Sequence, residues 1–308
     1  MKKLILLLLF IPLVFACSDD EDSTNPIDDT NPVYLDANGV TIKARDWAVV
    51  GDSGLINGVT YTIVDGATLR TMIENGDDVT RVCTSRIVNM AAYFYQLQDF
   101  NQNISSWDVS NVTVMDDMFR ESYTFNQDIS NWDVSNVTTM FGMFSNASSF
   151  NQPIGDWDVS NVTDMSGMFQ FTESFNQPIG NWDVSNVTSI GGMFMEANFN
   201  QPIGNWDVSN VTTMVMTFHN ALHFNQDISN WDVSNVTDMW GMFFLDLTFS
   251  DGEQSVFNQD LSSWNVSSVT ACVNFNCFQL QNSTVIGGQL ENWNLPKPNF
   301  TNCEVGCD

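Results

Sequence analysis

The stretch FNQDISNWDVSNVTTMFGMF, residues 125–144, decides the fold because close copies of it follow one another along most of the chain. Aligned on Phe-Asn-Gln, the copies are spaced by 25, 25, 25, 24, 25 and 33 residues. A repeat period of 20 to 30 residues is typical of solenoid proteins. The copies begin at Phe100, Phe125, Phe150, Phe175, Phe199, Phe224 and Phe257.

The apolar positions inside one copy predict a short strand followed by helical turns. The alternation Trp132, Asp133, Val134 has the period of a strand with one buried face. Spacings of three and four residues between Val137 and Phe144 are helical, and Thr138 is placed to cap such a helix. The sequence therefore predicts an α/β solenoid, a right-handed stack of strand-helix coils.

The same apolar frame extends beyond the obvious copies, from Val79 upstream to Leu290, Trp293 and Leu295 downstream, which gives about nine coils. One tryptophan and, in most copies, one methionine recur in the frame, and we expect both kinds of side chain to form the core. The expected tryptophan ladder comprises Trp107, Trp132, Trp157, Trp182, Trp206, Trp231, Trp264 and Trp293. The expected core methionines are Met115, Met140, Met165, Met214 and Met239.

Different sequence flanks the repeats on both sides, as the ends of a stack require. Residues 40–42 and 59–63 alternate like strands, and residues 67–75 predict a helix closed by Gly76. We therefore assign residues 33–78 to an N-terminal cap, 79–295 to the solenoid and 296–308 to a C-terminal cap.

The first residues have the layout of a bacterial export signal. Two lysines precede an apolar run at residues 4–15, which is too short to span a bilayer. Ala16-Cys17 resembles the cleavage site of bacterial lipoproteins, so we expect a signal peptide at 1–16 and acylation of Cys17, with plain secretion as the alternative. The acidic residues 18–22 resemble the tag of lipoproteins displayed on the outer membrane. Residues 17–32 are expected to form a flexible acidic tether.

The charge balance limits the partners. The chain has 9 basic and 37 acidic residues, a net charge of −28. Nucleic acid is therefore a poor partner. One aspartate follows the tryptophan in most copies, and we call this set the acidic column. Its expected role is a face for cations, weakly for calcium, or for a ligand; a merely solvated surface is the alternative. The acidic column comprises Asp108, Asp133, Asp158, Asp183, Asp207 and Asp232.

Three parts of the sequence carry a family resemblance: the run VTRVCTSR at residues 79–86, the tandem WDVSNVT copies, and the ending LPKPNFTNC at residues 295–303. Together these resemble the BspA-like leucine-rich-repeat surface proteins over about residues 35–303. The resemblance implies a bacterial surface protein, and some members bind host or matrix proteins. The extra residues 247–254 depart from the repeat and are the best candidate for a ligand-specific feature.

Four of the six cysteines, Cys272, Cys277, Cys303 and Cys307, lie near the C-terminal end, and in an exported protein they allow three disulfide pairings. Cys272 stands at an inward methionine position, and the ending of the resembled family carries a cysteine at Cys303. The pairing chosen is therefore Cys272–Cys303 with Cys277–Cys307. Cys83 lies several coils away and is expected to be a free thiol.

No catalytic motif is found in the sequence. His219 and His223 are four residues apart, a spacing that can form a metal face on a helix, but no third ligand is nearby and we expect both to be exposed. Nucleophile elbows, phosphate loops and zinc-finger spacings are absent from the sequence.

The sequence favours a non-enzymatic, monomeric surface lipoprotein that presents an acidic solenoid face to an extracellular protein or glycan. It would need no cofactor and would contact the membrane through its lipid anchor only. A passive structural coat is the first alternative. A secreted β-helix enzyme acting on acidic polysaccharides is the second, and the shortage of lysine and arginine argues against it.

Overall fold

The computed structural model describes residues 29–246, 254–279, 286–290 and 292–307, with the backbone alone at 286–289. Residues 31–308 form one unit. The predicted signal peptide, Cys17, most of the tether and residues 247–253 of the insertion lie outside the described residues. In the part of the chain that is described, no helix is long and apolar enough to cross a membrane.

The N-terminal cap consists of two hairpins and a helix that lead into the first repeat. Asn57 and Gly58, with φ of 50° and 81°, make the tight turn of the second hairpin. Asp65 caps the helix by accepting a hydrogen bond from the Thr68 N–H, and Gly76 ends it in the left-handed conformation. The elements are β1 (Val33–Leu35), β2 (Ile42–Ala44), β3 (Ser53–Ile56), β4 (Val59–Ile63), α1 (Gly66–Asn75) and β5 (Val82–Cys83).

These elements form two small sheets. β1 and β2 pair antiparallel, and β3 and β4 do the same. β5 adds to β4 in parallel, which joins the cap to the repeats. The predicted helix is therefore confirmed, starting one residue earlier than expected, and the second predicted strand has the expected bounds.

At the other end, β6 (Leu245–Asp246), β7 (Cys277–Gln279) and β8 (Ile286–Gln289) form a third sheet. β6 and β7 are parallel, and β8 is antiparallel to β7. Disulfides join Cys272 to Cys303 and Cys277 to Cys307, the same pairs chosen from the sequence. Cys83 is a free, buried thiol.

Between these ends, successive repeats lie in parallel register, each connected to the next by an isolated β-bridge. We call the bridging residues the bridge column. They occupy the same position in every copy, immediately before the core methionine or its substitute. The bridge column comprises Asn89, Val114, Thr139, Asp164, Ser189, Thr213, Asp238 and Ala271.

Two local predictions are wrong. The Trp132–Val134 stretch forms no strand, because the bridge lies at Thr139, and residues 141–146 form consecutive turns where a helix was expected. The backbone explains the turns, since Gly142 and Asn146 both have φ of 59°, in the left-handed region that no α-helix contains.

The hydrogen bonds of this segment alternate accordingly. The N–H groups of Met140, Gly142 and Phe144 donate to carbonyls of the following repeat, whereas the N–H of Met143 donates back to the Met140 carbonyl. Backbone N–H groups that would bond within the copy in a helix therefore bond to the neighbouring copy.

The core runs without interruption from Val64 to Trp293. The eight predicted ladder tryptophans are at most 5 % exposed, and the five predicted methionines are fully buried. Neighbouring tryptophans stack almost parallel, for example Trp206 on Trp231 with ring centres 6.4 Å apart. Leu295, expected in the core, is instead 42 % exposed. It directly precedes Pro296, beyond the last stacked layer.

Candidate functional site

The Phe-Asn-Gln motif builds a ladder of amide groups along the stack. The side-chain oxygen of Asn126 accepts hydrogen bonds from the backbone N–H of Asn151, at 3.0 Å, and from the side chain of Gln152, at 2.7 Å. The same asparagine bond recurs between neighbouring copies from Asn101 to Asn294. Asn and Gln are therefore repeated because each bonds the backbone of a neighbouring copy: the Asn126 side chain accepts the N–H of Asn151 in the next copy, and the Gln152 side chain donates to the Asn126 carbonyl in the preceding copy.

The polar groups of the Trp-Asp-Val-Ser-Asn motif also form hydrogen bonds within the stack. The indole N–H of Trp182 donates to the Ile154 carbonyl of the preceding copy at 3.0 Å. Asp183 accepts the backbone N–H of Ser185 at 3.0 Å, which closes a turn. The side chain of Asn186 donates to the Ser160 carbonyl at 2.7 Å. The faithful repetition of these polar residues therefore has a structural cause.

Five of the six residues of the acidic column are exposed, each beside a buried tryptophan. Each uses one carboxylate oxygen for its turn, and within the described residues the second oxygen accepts no further hydrogen bond. Hydrogen bonds from Ser185 and Ser234 hold the pKa of Asp183 and Asp232 below the usual value. These two carboxylates are therefore ionised at neutral pH, and the column presents a row of negative charge.

Asp108, the first member of the column, is buried at 3 % exposure. The coil before it holds it: the Ser85 hydroxyl donates to one of its oxygens, and the Thr84 hydroxyl donates to its carbonyl at 2.8 Å. The same Ser85 hydroxyl accepts the Ala44 N–H at 3.0 Å. Asp108 thus joins the cap to the first repeat and is not available to a ligand.

A second set of aspartates makes the same turn at another corner of the copies. Asp128, Asp227 and Asp260 each accept a serine N–H two residues later. Asn103 and Asn265 make the equivalent turn at the two corners without a charge. Asparagine can therefore replace aspartate in either set without losing the turn.

The copies also differ on the face next to the bridge column. Two residues after each bridge residue, past the buried methionine, comes a position whose backbone carbonyl accepts a hydrogen bond from the preceding copy. We call this set the outer column. It comprises Asp116, Phe141, Ser166, Gly191, Val215, Trp240 and Val273. Ala91 has the equivalent position in the first coil, where its carbonyl accepts a hydrogen bond from the Arg70 side chain. Phe141 and Trp240 are 41 % and 37 % exposed.

The two histidines lie in different environments. His223 is exposed, but His219 is only 6 % exposed, so the expectation that both are exposed is wrong for His219. The reason is stacking of its ring on Phe244 of the next copy, with centres 5.3 Å apart. Burial lowers the pKa of His219 to about 4, and its Nδ1 has no hydrogen-bond partner among the described residues. No group of three potential metal ligands occurs in the described parts of the chain.

Sequence reasoning missed Phe141, Trp240 and the burial of His219. The apolar frame of one copy does not single out Phe141 or Trp240, although each is an aromatic residue at a position where other copies have smaller residues. Comparing the copies position by position would have identified them, because the scaffold repeats and this position does not.

A family model matches the chain three times in tandem, over residues 67–179, 152–252 and 199–303. No curated protein matches the chain. No solved structure matches it either. The three matches together span residues 67–303, the whole of the repeated region. The chain belongs to the family described as Mycoplasma protein of unknown function, DUF285.

Proposed function

We propose that the chain is a non-enzymatic, monomeric surface-binding lipoprotein whose acidic column contacts an extracellular ligand. The observation that carries the proposal is the row of exposed carboxylates. Asp133, Asp158, Asp183, Asp207 and Asp232 occur in five consecutive copies, and each keeps one oxygen outside its own turn. Regularly spaced like charges favour a basic protein or a cationic glycan and repel nucleic acid.

The architecture that we propose is a leucine-rich-repeat-like solenoid of the BspA type, with about nine coils in which turns stand in place of the expected helix. The parallel bridges between successive copies and the tandem family matches support a stack of repeated units. A stack of this kind offers a long face to an extended partner.

The proposed location is the outer surface of the cell, with acylated Cys17 as the anchor. The apolar run at residues 4–15 and the Ala16-Cys17 junction support it. Detergent partitioning of the full chain and of Cys17→Ser tests the anchor. We expect only the wild type in the detergent phase, and equal partitioning of both would refute it.

Binding is tested with protein and glycan arrays probed by residues 31–308, the unit that the structure describes as compact. A column variant carries Asp158→Asn, Asp183→Asn and Asp207→Asn. A control variant carries Asp128→Asn, Asp227→Asn and Asp260→Asn, which removes the same number of charges from the other corner.

We expect the column variant to lose binding of basic ligands and the control variant to retain it. Loss in both variants would indicate a net-charge effect without a site. A wild type that binds nothing on either array would favour a passive coat.

A further inference from the structure

Two exposed aromatic side chains, Phe141 and Trp240, lie on the variable face with smaller outer-column residues between them, and we call the stretch between the two rings the trough. In the outer column, Phe141 and Trp240 are four copies apart, and Ser166, Gly191 and Val215 lie between them. At about 4.8 Å per stacked strand, the aromatic residues are roughly 19 Å apart. All five carbonyls of this stretch accept hydrogen bonds from the preceding copies, so the backbone of the trough floor is regular.

The backbone N–H of each aromatic residue donates a hydrogen bond to a carboxylate. The N–H of Phe141 donates to Asp116 at 3.0 Å, and the N–H of Trp240 donates to Asp238 at 2.9 Å. Asp116 also accepts the Thr139 hydroxyl at 2.6 Å. Trp240 is outside the tryptophan ladder, and neither ring is needed to fill the core. Exposed aromatic rings on a rigid backbone are unfavourable to keep in water and are typical of recognition surfaces.

The bridge-column side chains along the trough are all polar and carry oxygen atoms. In the bridge column these are Thr139, Asp164, Ser189, Thr213 and Asp238. Asp164 accepts the Ser166 N–H with one oxygen, and among the described residues its other oxygen accepts no hydrogen bond. The exposed Thr163, Thr188 and Thr212 each precede a bridge residue. Their hydroxyls donate to backbone carbonyls of the preceding copies and keep lone pairs that can accept hydrogen bonds. The trough therefore offers mainly hydrogen-bond acceptors along its length and a flat ring near each end.

We propose that this trough binds a neutral polysaccharide, with sugar rings stacked on Phe141 and Trp240 and sugar hydroxyls bonded to the bridge column. A pyranose ring presents an apolar C–H face to an aromatic ring and hydroxyl groups at its edge, which matches both features. This would be a second site, separate from the acidic column, and it rests on the surface-binding role proposed above.

The charge of the trough favours a neutral ligand over an anionic polymer or a basic peptide. Neither the bridge column nor the outer column contains a lysine or arginine, so a sulfated, phosphorylated or uronate polymer would be repelled. A basic peptide would find two carboxylates of the bridge column along the trough, Asp164 and Asp238, against five exposed ones in the acidic column. The trough is therefore the poorer site for a cation and the better one for a neutral ligand.

Gly191 allows a direct test of the trough floor. A Cβ atom added there would lie 3.4 Å from the nearest atom outside its own neighbourhood, the Val215 carbonyl oxygen, which is an ordinary contact. Phe141 and Trp240 occupy the equivalent position in other copies, so the backbone accepts a large side chain there. Gly191→Trp should obstruct the trough while leaving the fold intact, and Gly191→Ser, which copies Ser166, is its matched control.

The experiment is affinity electrophoresis of residues 31–308 through gels that contain hydroxyethylcellulose, glucomannan, xylan or anionic alginate. We expect at least one neutral polymer to retard the wild type and Gly191→Ser equally, and alginate to retard neither. Gly191→Trp should abolish the retardation. Phe141→Ala and Trp240→Ala should each weaken binding about tenfold, the upper end for one aromatic contact. Thermal melts of all variants check that they are folded.

Several results would overturn the proposal. The wild type could pass all the neutral polymers without retardation, or Gly191→Trp and Gly191→Ser could be retarded equally. The wild type could also be retarded more by alginate than by the neutral polymers. Light scattering that finds a dimer lost in Gly191→Trp would assign the trough to a second copy of the chain. The column variant separates the two proposals, because it should lose basic ligands on the arrays and keep its retardation by neutral polymers.

Discussion

The buried His219 predicts that the protein loses stability on mild acidification. Its pKa is lowered from 6.5 to about 4 by burial, and the ring is 6 % exposed. The unfolded chain therefore binds a proton near pH 6.5, whereas the folded chain binds it only near pH 4. The unfolded state holds more protons throughout this interval, so the free energy of unfolding falls as the pH falls from 6.5 to 4.

The size of the effect follows from the two pKa values. At 1.36 kcal/mol for each pH unit, the interval between 6.5 and about 4 corresponds to about 3 kcal/mol. This is a large part of the stability of an ordinary domain. Glu196, whose pKa is raised by burial, acts in the opposite direction, so the contribution of His219 must be isolated by comparing variants.

The assay is urea denaturation at pH 7, 6, 5 and 4.5 of the wild type, His219→Gln and His223→Gln. Glutamine is a natural occupant of the His219 position, since Gln170 stands there two copies earlier. The wild type and His223→Gln should lose stability in parallel on acidification, and His219→Gln should lose markedly less. If all three curves have the same pH dependence, His219 is accessible to protons in the folded protein and the reasoning from its burial is wrong.

Three further predictions concern the core, the spacing of the copies and the acidic column. Trp182→Ala should destabilise the protein by about 3–5 kcal/mol in urea denaturation, because it opens a cavity and leaves the Ile154 carbonyl unpaired. Asp183→Asn should be nearly neutral. Equal losses of stability would mean that the buried and exposed sides of this segment are reversed. Gly155→Ala should destabilise the protein by about 1–3 kcal/mol, because its Cβ would clash with the Pro178 carbonyl oxygen of the next copy. Gly191→Ala should be tolerated. Similar melting temperatures of the two variants would contradict the close approach of the backbones at Gly155. Millimolar calcium should raise the melting temperature more than sodium at matched ionic strength and should do so less in the column variant; identical effects of the two salts would indicate screening alone.

The core could be predicted from the sequence because burial leaves a direct signal in residue type. Trp182 and Met165 recur at fixed spacing in neighbouring copies, and both are buried as expected. The exposed Asp183 beside Trp182 was predicted for the same reason, since adjacent residues of an extended chain face opposite ways.

The local conformation could not be predicted in the same way. Apolar spacings of three and four residues are shared by a helix and by the observed turns, and only the left-handed φ at positions such as Asn146 and Phe171 separates them. A non-glycine residue gives little indication of that conformation. The positions of Asp108 and His219 depended on contacts with the cap and with Phe244, which no pattern within one copy contains.

The two disulfides have a mechanical consequence when a force pulls on the two ends of the stack. They tie the last repeat to residues 303 and 307, so a force applied near the C-terminus acts on a covalently closed loop. Each earlier copy is held to the next by noncovalent contacts and rows of hydrogen bonds, with no disulfide among the described residues between 31 and 271. Under tension the stack should therefore unfold from its N-terminal side, one copy at a time. Every released copy would lengthen the extended part of the chain by about 25 residues, or roughly 80 Å.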